Sequence, residues 1–305
     1  MTIQQCKYVI KIAECGSFNE AAKLLFVAQS SLSVSVKTLE QELGIRIFER
    51  SGNGVFLTEE GTEFLQYARQ ISEHSDFVME RYGGGKNRKH LYISTQHYDF
   101  VADTFSRLVN ENRDDSYRFS LREMKTYDVI RETESACCDI GILGIKGSDY
   151  SIMERYLGKR GLSFTPIMKA LPHVYVRREH PLIWKTVISP KDLKHYSFVS
   201  YEQGEHGVSF FAEEIANIDS DKQIVISDRA SLMNVLLATD CYTVGTGIMP
   251  SVLNEGRIAS IPFESGDHYI IGYILRGDRR ISSLTGRFIE LLGGNFRPSA
   301  KDTLL

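Results

Sequence analysis

No run of apolar residues in this chain approaches the length needed to cross a membrane, and the opening MTIQQCKYVI lacks the hydrophobic region of a secretory signal. A cytoplasmic protein is therefore expected. The five cysteines, Cys6, Cys15, Cys137, Cys138 and Cys241, are odd in number and show no C-x-x-C pair or Cys/His spacing. That pattern argues against a disulfide framework and a zinc site. Buried thiols are the plain reading, with a redox switch at Cys137 or Cys241 as the alternative. A nucleophile elbow, a P-loop and a metal-binding histidine cluster are all missing. Asp139, beside Cys137 and Cys138, has no base placed to make either thiol a nucleophile, so neither enzyme activity nor a cofactor is expected. Excess positive charge is lacking too: 36 Lys and Arg stand against 39 Asp and Glu, for a net charge of −3. Bulk polyanion binders are usually strongly basic, so any nucleic-acid binding here must come from a local constellation.

At 305 residues and 42% hydrophobic content, the chain can bury two or three cores. Its most patterned stretch runs from Gly16 to Gly61, preceded by an amphipathic helix at 3–13 with Ile3, Cys6, Ile10 and Ala13 facing inward. Ser17-Phe18-Asn19-Glu20 has the form of a capping box and opens a short helix carrying Ala21, Ala22 and Leu25 on one side. Phe26 and Val27 interrupt it. A second helix starts near Gln29 or Ser30, with Leu32, Val36, Leu39 and Leu43 as its inward stripe and Gly44 at its end. The opposite face carries Ser31, Ser33, Val34, Ser35, Lys37 and Thr38, short enough for close approach to another surface. Two short helices, a tight turn and a polar face fit the helix-turn-helix plan, whose second helix enters the major groove. Apolar runs at 45–48 and 55–57, around Ser51-Gly52-Asn53-Gly54, read as a two-stranded wing. Thr58 then caps a helix reaching about Tyr82, where Phe64, Ala68, Ile71, Ser75, Val78 and Tyr82 form a coiled-coil-like seam.

The run Ser17-Phe18, Ala21-Ala22, Gln29-Ser30-Ser31-Leu32-Ser33, Leu39-Glu40, Leu43-Gly44, Leu57-Thr58 and Gly61 closely resembles the DNA-binding domain of LysR-type transcriptional regulators. The resemblance implies a sequence-specific regulator of promoter DNA, a homodimer or a homotetramer built as a dimer of dimers, with RNA polymerase among its partners. At the start of the second helix, Gln29, Ser30, Ser31 and Ser33 are candidate DNA contacts, Gln being suited to adenine and Ser to base edges or phosphates. Lys37 and Arg50 are candidate phosphate contacts, and Thr58 is placed to meet the backbone near the wing. Three residues depart from the family pattern: Val34, which could touch a thymine methyl, Asn53 in the wing, and Ala28 at the helix N-cap. As in the family, the long helix is expected to pair with its copy through Phe64, Ala68, Ile71 and Val78.

Gly83-Gly84-Gly85 followed by Lys86-Asn87-Arg88-Lys89 marks a flexible joint. Beyond it, strands at 91–94, 118–122, 139–143, 164–168, 173–177, 197–200, 224–227, 242–245, 258–262 and 269–275 are interspersed with helices at 100–109, 127–136, 208–216, 231–237 and 284–292. Such alternation implies parallel sheets covered by helices. Two lobes with a cleft, joined by crossovers near Gly161 and Glu264, match the family's effector-binding part, which resembles periplasmic solute-binding proteins. The expected fold is α+β and multidomain. It comprises a winged helix-turn-helix at 1–58 (helix-turn-helix about 18–37), a linker helix and hinge at 59–89, lobe I at 90–161 plus 265–305, and lobe II at 162–264. Ligands bind at the carboxyl ends of strands in such sheets, and helix N-termini attract anions. Candidate effector contacts are therefore Ser94, Thr95, Gln96 and His97 in lobe I, with Ser200, Tyr201, Glu202 and Thr246 opposite, taking a small polar or anionic effector. A cytoplasmic solute-binding receptor or a redox sensor on the same fold is the competing reading.

Overall fold

The structure, a computed structural model, describes residues 1–51, 54–83, 88–202, 211–213, 220–249 and 256–294, without the side chains of Arg50, Ser51 and Glu80. Gly52 and Asn53 of the wing turn, Gly84 and Gly85 of the joint, and most of the expected helix at 208–216 lie outside the described residues. The chain forms two units, Met1–Asn87 and Arg88–Leu305.

In the first unit, α1 (Ile3–Cys15) starts at a reciprocal capping box between Thr2 and Gln5. Its buried face is Cys6, Val9 and Ile12, with Ile10 and Ala13 at the margin. Ile3 is exposed, contrary to expectation. The face is displaced because α1 is covered on several sides, by α2 (Phe18–Leu24), α3 (Gln29–Leu43) and α4 (Glu59–Tyr82). Ser17 caps α2 by accepting from the Glu20 amide at 3.4 Å, while the Glu20 carboxylate pairs with Lys23 at 2.7 Å instead of turning back to Ser17. Leu32, Val36 and Leu39 bury the inner face of α3. Leu43 is more than a third exposed, because the last turn of α3 runs past the core before Gly44 ends it at φ 72.

The wing is an antiparallel pair, β1 (Phe48–Ser51) and β2 (Gly54–Leu57), in register from Phe48 opposite Leu57 to Ser51 opposite Gly54. The first wing strand begins at Phe48 rather than Ile45. Ile47 is buried in the core, and its amide and that of Phe48 donate to Glu40 Oε1 at 2.7 and 3.2 Å. Gly61, in the first turn of α4, lies against the Ile47 carbonyl so closely that a Cβ would come within 2.0 Å of the oxygen. Only glycine lets α4 start there. Phe64, Leu65 and Ala68 then close the unit's core.

The second unit has two lobes. In lobe I, a five-stranded sheet runs in the order β4 (Tyr117–Glu123), β3 (Lys89–Thr95), β5 (Ile140–Lys146), β12 (Tyr269–Arg276), β6 (Leu162–Ala170). β3 is parallel to β4 and β5, but β12 is antiparallel to both β5 and β6. The sheet is mixed, which corrects the all-parallel expectation. On one face Ile140, Ile142 and Ile271 pack with α5 (Asp99–Glu111) and α10 (Ser283–Gly294). On the other, Leu143, Ile145 and Ile274 pack with α6 (Thr126–Glu134) and α7 (Tyr150–Gly158).

Lobe II is built on β7 (His173–Arg177), flanked antiparallel by β10 (Thr243–Gly245) and β11 (Ile258–Pro262). The parallel pair β8 (Phe198–Tyr201) and β9 (Gln223–Ile226) continues it through a bridge from Phe198 to Tyr242. α8 (Pro190–Leu193) and α9 (Arg229–Ala238) accompany these strands. Because β6 belongs to the first sheet, the chain crosses between lobes after Ala170, not near Gly161. The return crossing falls between Pro262 of β11 and Tyr269 of β12.

Candidate nucleic-acid interface and effector pocket

In the first unit, Gln29 opens α3 half-buried, Ser30, Ser31, Val34 and Lys37 are exposed, and Ser33 is half-buried. Ala28 provides no side-chain cap. Glu14 is paired with Lys11, Glu20 with Lys23, and Glu42 with the N-terminal ammonium, while Glu40 accepts the Ile47 and Phe48 amides. Four of the unit's acids, Glu14, Glu20, Glu40 and Glu42, are thus engaged within it. Lys37 and Arg46 have no carboxylate partner among the described residues. They flank an open groove of about 680 Å³ between α3 and the wing, which Ser33 also lines. Glu40 and Glu49 line the same groove, Glu40 being occupied by the Ile47 and Phe48 amides, so among the described residues the groove sets two unpaired cations beside two acids.

Thr58, expected at the DNA backbone near the wing, is half-buried and engaged within the unit. Its hydroxyl donates to the Arg46 carbonyl and accepts from the Gly61 amide at 2.8 Å, so it ties the segment leading into the wing to the start of α4. The dimerisation seam also divides. Phe64 and Ala68 are buried against α1 and Ile71 partly so, which removes the first two from any interface. Tyr67, Val78, Met79 and Tyr82 remain exposed on α4. The side chain of Arg50 lies outside the description.

In the second unit the expected effector residues separate into two groups. Ser94, Thr95 and Gln96 are buried away from the cleft. Ser94 donates to Glu132, and Gln96 donates to Thr126 while accepting from the Gly144 amide at 2.6 Å and Tyr98 Oη at 2.7 Å. Glycine at 144 makes room for this knot, since a Cβ there would come within 2.3 Å of Tyr98 Oη. Ser94 and Gln96 are thus satisfied inside the lobe, whereas the buried Thr95 hydroxyl has no hydrogen-bond partner among the described residues. His97, Tyr201 and Thr246 do line a cavity between the lobes, of about 50 Å³, together with Tyr98, Asp99, Tyr175, Glu213 and Tyr269. Ser200 and Glu202 lie outside its wall. Glu202 reaches across to Lys125 of lobe I, 3.3 Å away.

The cavity is held by charge. His97 Nδ1 sits 3.0 and 3.1 Å from the two oxygens of Glu213, and its ring stacks on Tyr201 at 4.0 Å. Burial alone would lower the His97 pKa, but the Glu213 carboxylate, helped by Glu123, overcomes it and leaves the net shift upward. Arg229, at the start of α9 in lobe II, reaches Asp99 at 2.5 Å and Glu123 at 2.8 Å, both in lobe I. Burial raises the Asp99 carboxyl despite that guanidinium. Glu213 is positioned by Phe211, whose ring packs edge-on against Tyr127 and Tyr156 of lobe I at 5.7 and 5.4 Å.

Arg229, Glu213, Tyr98, Tyr175 and Tyr269 were not among the residues expected from sequence. Asp228-Arg229 at a helix start carried a signal, since Asp228 caps α9 and thereby aims the next side chain. Glu213 carried none. The thiols do not suit redox sensing: Cys137, Cys138 and Cys241 are buried, and burial pushes Cys138 up to about 11 and Cys241 upward. Among the described residues no His, Cys, Asp and Glu cluster is arranged to hold a metal, and no helix is long and apolar enough to cross a membrane.

The arrangement has close counterparts. Residues 3–62 match the family described as a bacterial regulatory helix-turn-helix protein of the lysR family, and residues 108–297 match the LysR substrate binding domain. The Uncharacterized HTH-type transcriptional regulator YbhD of Escherichia coli (strain K12) is 24% identical over 303 residues, covering 95% of this chain and 90% of that protein. A Probable RuBisCO transcriptional regulator of Thalassiosira pseudonana is 50% identical over 70 residues, 23% of each chain. The crystal structure of CbnR, a LysR family transcriptional regulator, superposes with a TM-score of 0.64 at 18% identity, covering 97% of this chain and 100% of that one. Full-length CbnR complexed with its target DNA gives 0.65 at 19%, with the same coverage. With a helix-turn-helix at one end and a matched substrate-binding domain over more than half its length, the chain belongs to the LysR family of DNA-binding transcriptional regulators, which are not enzymes.

Proposed function

We propose that this regulator binds an operator through the α3 face and that a small polar effector in the inter-lobe cavity modulates that binding, the protein working as a cytoplasmic homo-oligomer. The carrying observation is the cavity, whose walls come from both lobes and whose closure rests on ion pairs joining them. A ligand that binds the closed and open arrangements unequally shifts their balance. On the DNA side, Gln29 is placed to read a base edge, Ser30, Ser31 and Ser33 to approach it, and Lys37 with Arg46 to meet phosphates. The exposed strip of α4, Tyr67, Val78 and Tyr82, is the surface offered to a second subunit.

The test is binding of the full-length protein to DNA from its own upstream region across a salt series. Wild type should bind one fragment selectively. Gln29→Ala should lose about 1–3 kcal/mol of discrimination, and Lys37→Ala should weaken all sequences alike and flatten the salt slope by about one unit. Selective binding unchanged in both variants would overturn the assignment of α3.

A further inference from the structure

The cavity has a composition that its expected ligand does not explain. Tyr98, Tyr175, Tyr201 and Tyr269 supply four phenol rings to one small space, beside the carboxylates of Asp99 and Glu213. The two cations nearby are already engaged, Arg229 by Asp99 and Glu123, and His97 by both oxygens of Glu213. Counting Arg229 and Glu123, which adjoin the cavity without lining it, three carboxylates stand against two cations even when His97 is protonated, one negative charge in excess among these groups. The N-terminus of α5, which would attract an anion, has Asp99 in its first turn to answer the helix dipole. The field is felt by the rings. Beyond the effect of burial, Glu213 raises the phenols of Tyr98 and Tyr201, and Asp99 raises those of Tyr175 and Tyr201.

An anion entering this space would meet neutral phenols and surplus negative charge. An ammonium would find carboxylates and electron-rich ring faces, the combination that stabilises a cation away from water. We infer that the inter-lobe cavity takes a small organic ammonium, its charge set against Glu213 and Asp99 and its carbon skeleton against the tyrosine rings. The inference rests on the cavity being the effector site. A cavity of about 50 Å³ limits the ligand to a few heavy atoms in this closed arrangement.

The experiment uses full-length protein and three probes of nearly one shape: propylammonium, propionate and 1-propanol. Ionic strength is matched, and calorimetric binding and the affinity for the selected DNA fragment are both read. Propylammonium should bind saturably, with propionate and propanol at least tenfold weaker. Glu213→Gln and, independently, Tyr201→Leu should each cost tenfold or more in propylammonium affinity. The first variant removes charge and keeps shape; the second removes a ring and keeps charge, so loss of folding in one leaves the other decisive. Propionate binding as tightly as propylammonium and losing that affinity in Tyr201→Leu would overturn the ammonium inference while leaving the effector pocket standing. Propylammonium binding unaffected by both variants would place it elsewhere and overturn the inference. No binding of any probe and no change in DNA affinity would overturn the inference and the effector reading together.

Discussion

At the scale of single residues, the first unit depends on positions whose importance is invisible in their chemistry. Gly61 is the clearest. A methyl group there would sit 2.0 Å from a backbone oxygen that cannot move without displacing the buried Ile47. Gly61→Ala should therefore cost about 1–3 kcal/mol, as overpacking does, and lower the thermal midpoint of the first unit in calorimetry. The sequence marked Gly61 as a motif position but offered no reason for it, because its neighbour Ile47 is 14 residues away, in the loop before the wing. Glu40 is a similar case. By composition it is one more acid cancelling a lysine, whereas in place it binds the two amides that fix the start of the wing. Counting charges misses what each charge is tied to.

At the scale of elements, α3 and α4 yield separate predictions. α3 has Ala28 at its N-cap with no side-chain acceptor. Ala28→Ser should add about 1 kcal/mol of stability, measured by urea unfolding. α4 presents one face inward and another outward. Ala68→Glu should destabilise the unit itself, since Ala68 is fully buried against α1. Val78→Glu should leave the unfolding midpoint of the dilute protein nearly unchanged while reducing the oligomer seen by light scattering. If both variants only unfold the protein, the exposed strip is not an interface. Heptad spacing identified α4 but could not apportion its residues, because Phe64 and Ala68 satisfy that spacing equally well against a neighbouring helix of the same chain. Strand positions were legible almost throughout from short apolar runs. Pairing direction was not, since β12 reads the same whether it runs with or against β5, and the lobe boundary was misplaced for the same reason: nothing local in β6 says which sheet receives it.

At the scale of the whole molecule, the second unit carries a titratable clasp. His97 has its folded pKa raised by Glu213 and Glu123 against the lowering effects of burial and Arg229. A raised histidine contributes stability that is fully present below its unfolded value, about 6.5, and is lost as pH climbs through the folded value. The thermal midpoint of the second unit should fall across that window, and His97→Gln should flatten the fall. An unchanged slope in the variant would assign the pH dependence to another group. Of this site the sequence showed His97, Tyr201 and Thr246, which end strands where ligands are expected. It did not show Arg229 or Glu213, which reach the cavity only because two lobes and the Phe211 anchor bring distant segments together.

Arg229 closes the cleft over Asp99 and Glu123 using only groups the protein already owns. On the function proposed above, an effector reaches the cavity as the lobes part, so the strength of these pairs bears on its rate of arrival. The guanidinium that fastens the lobes is thus also, on that proposal, a brake on how fast the regulator responds.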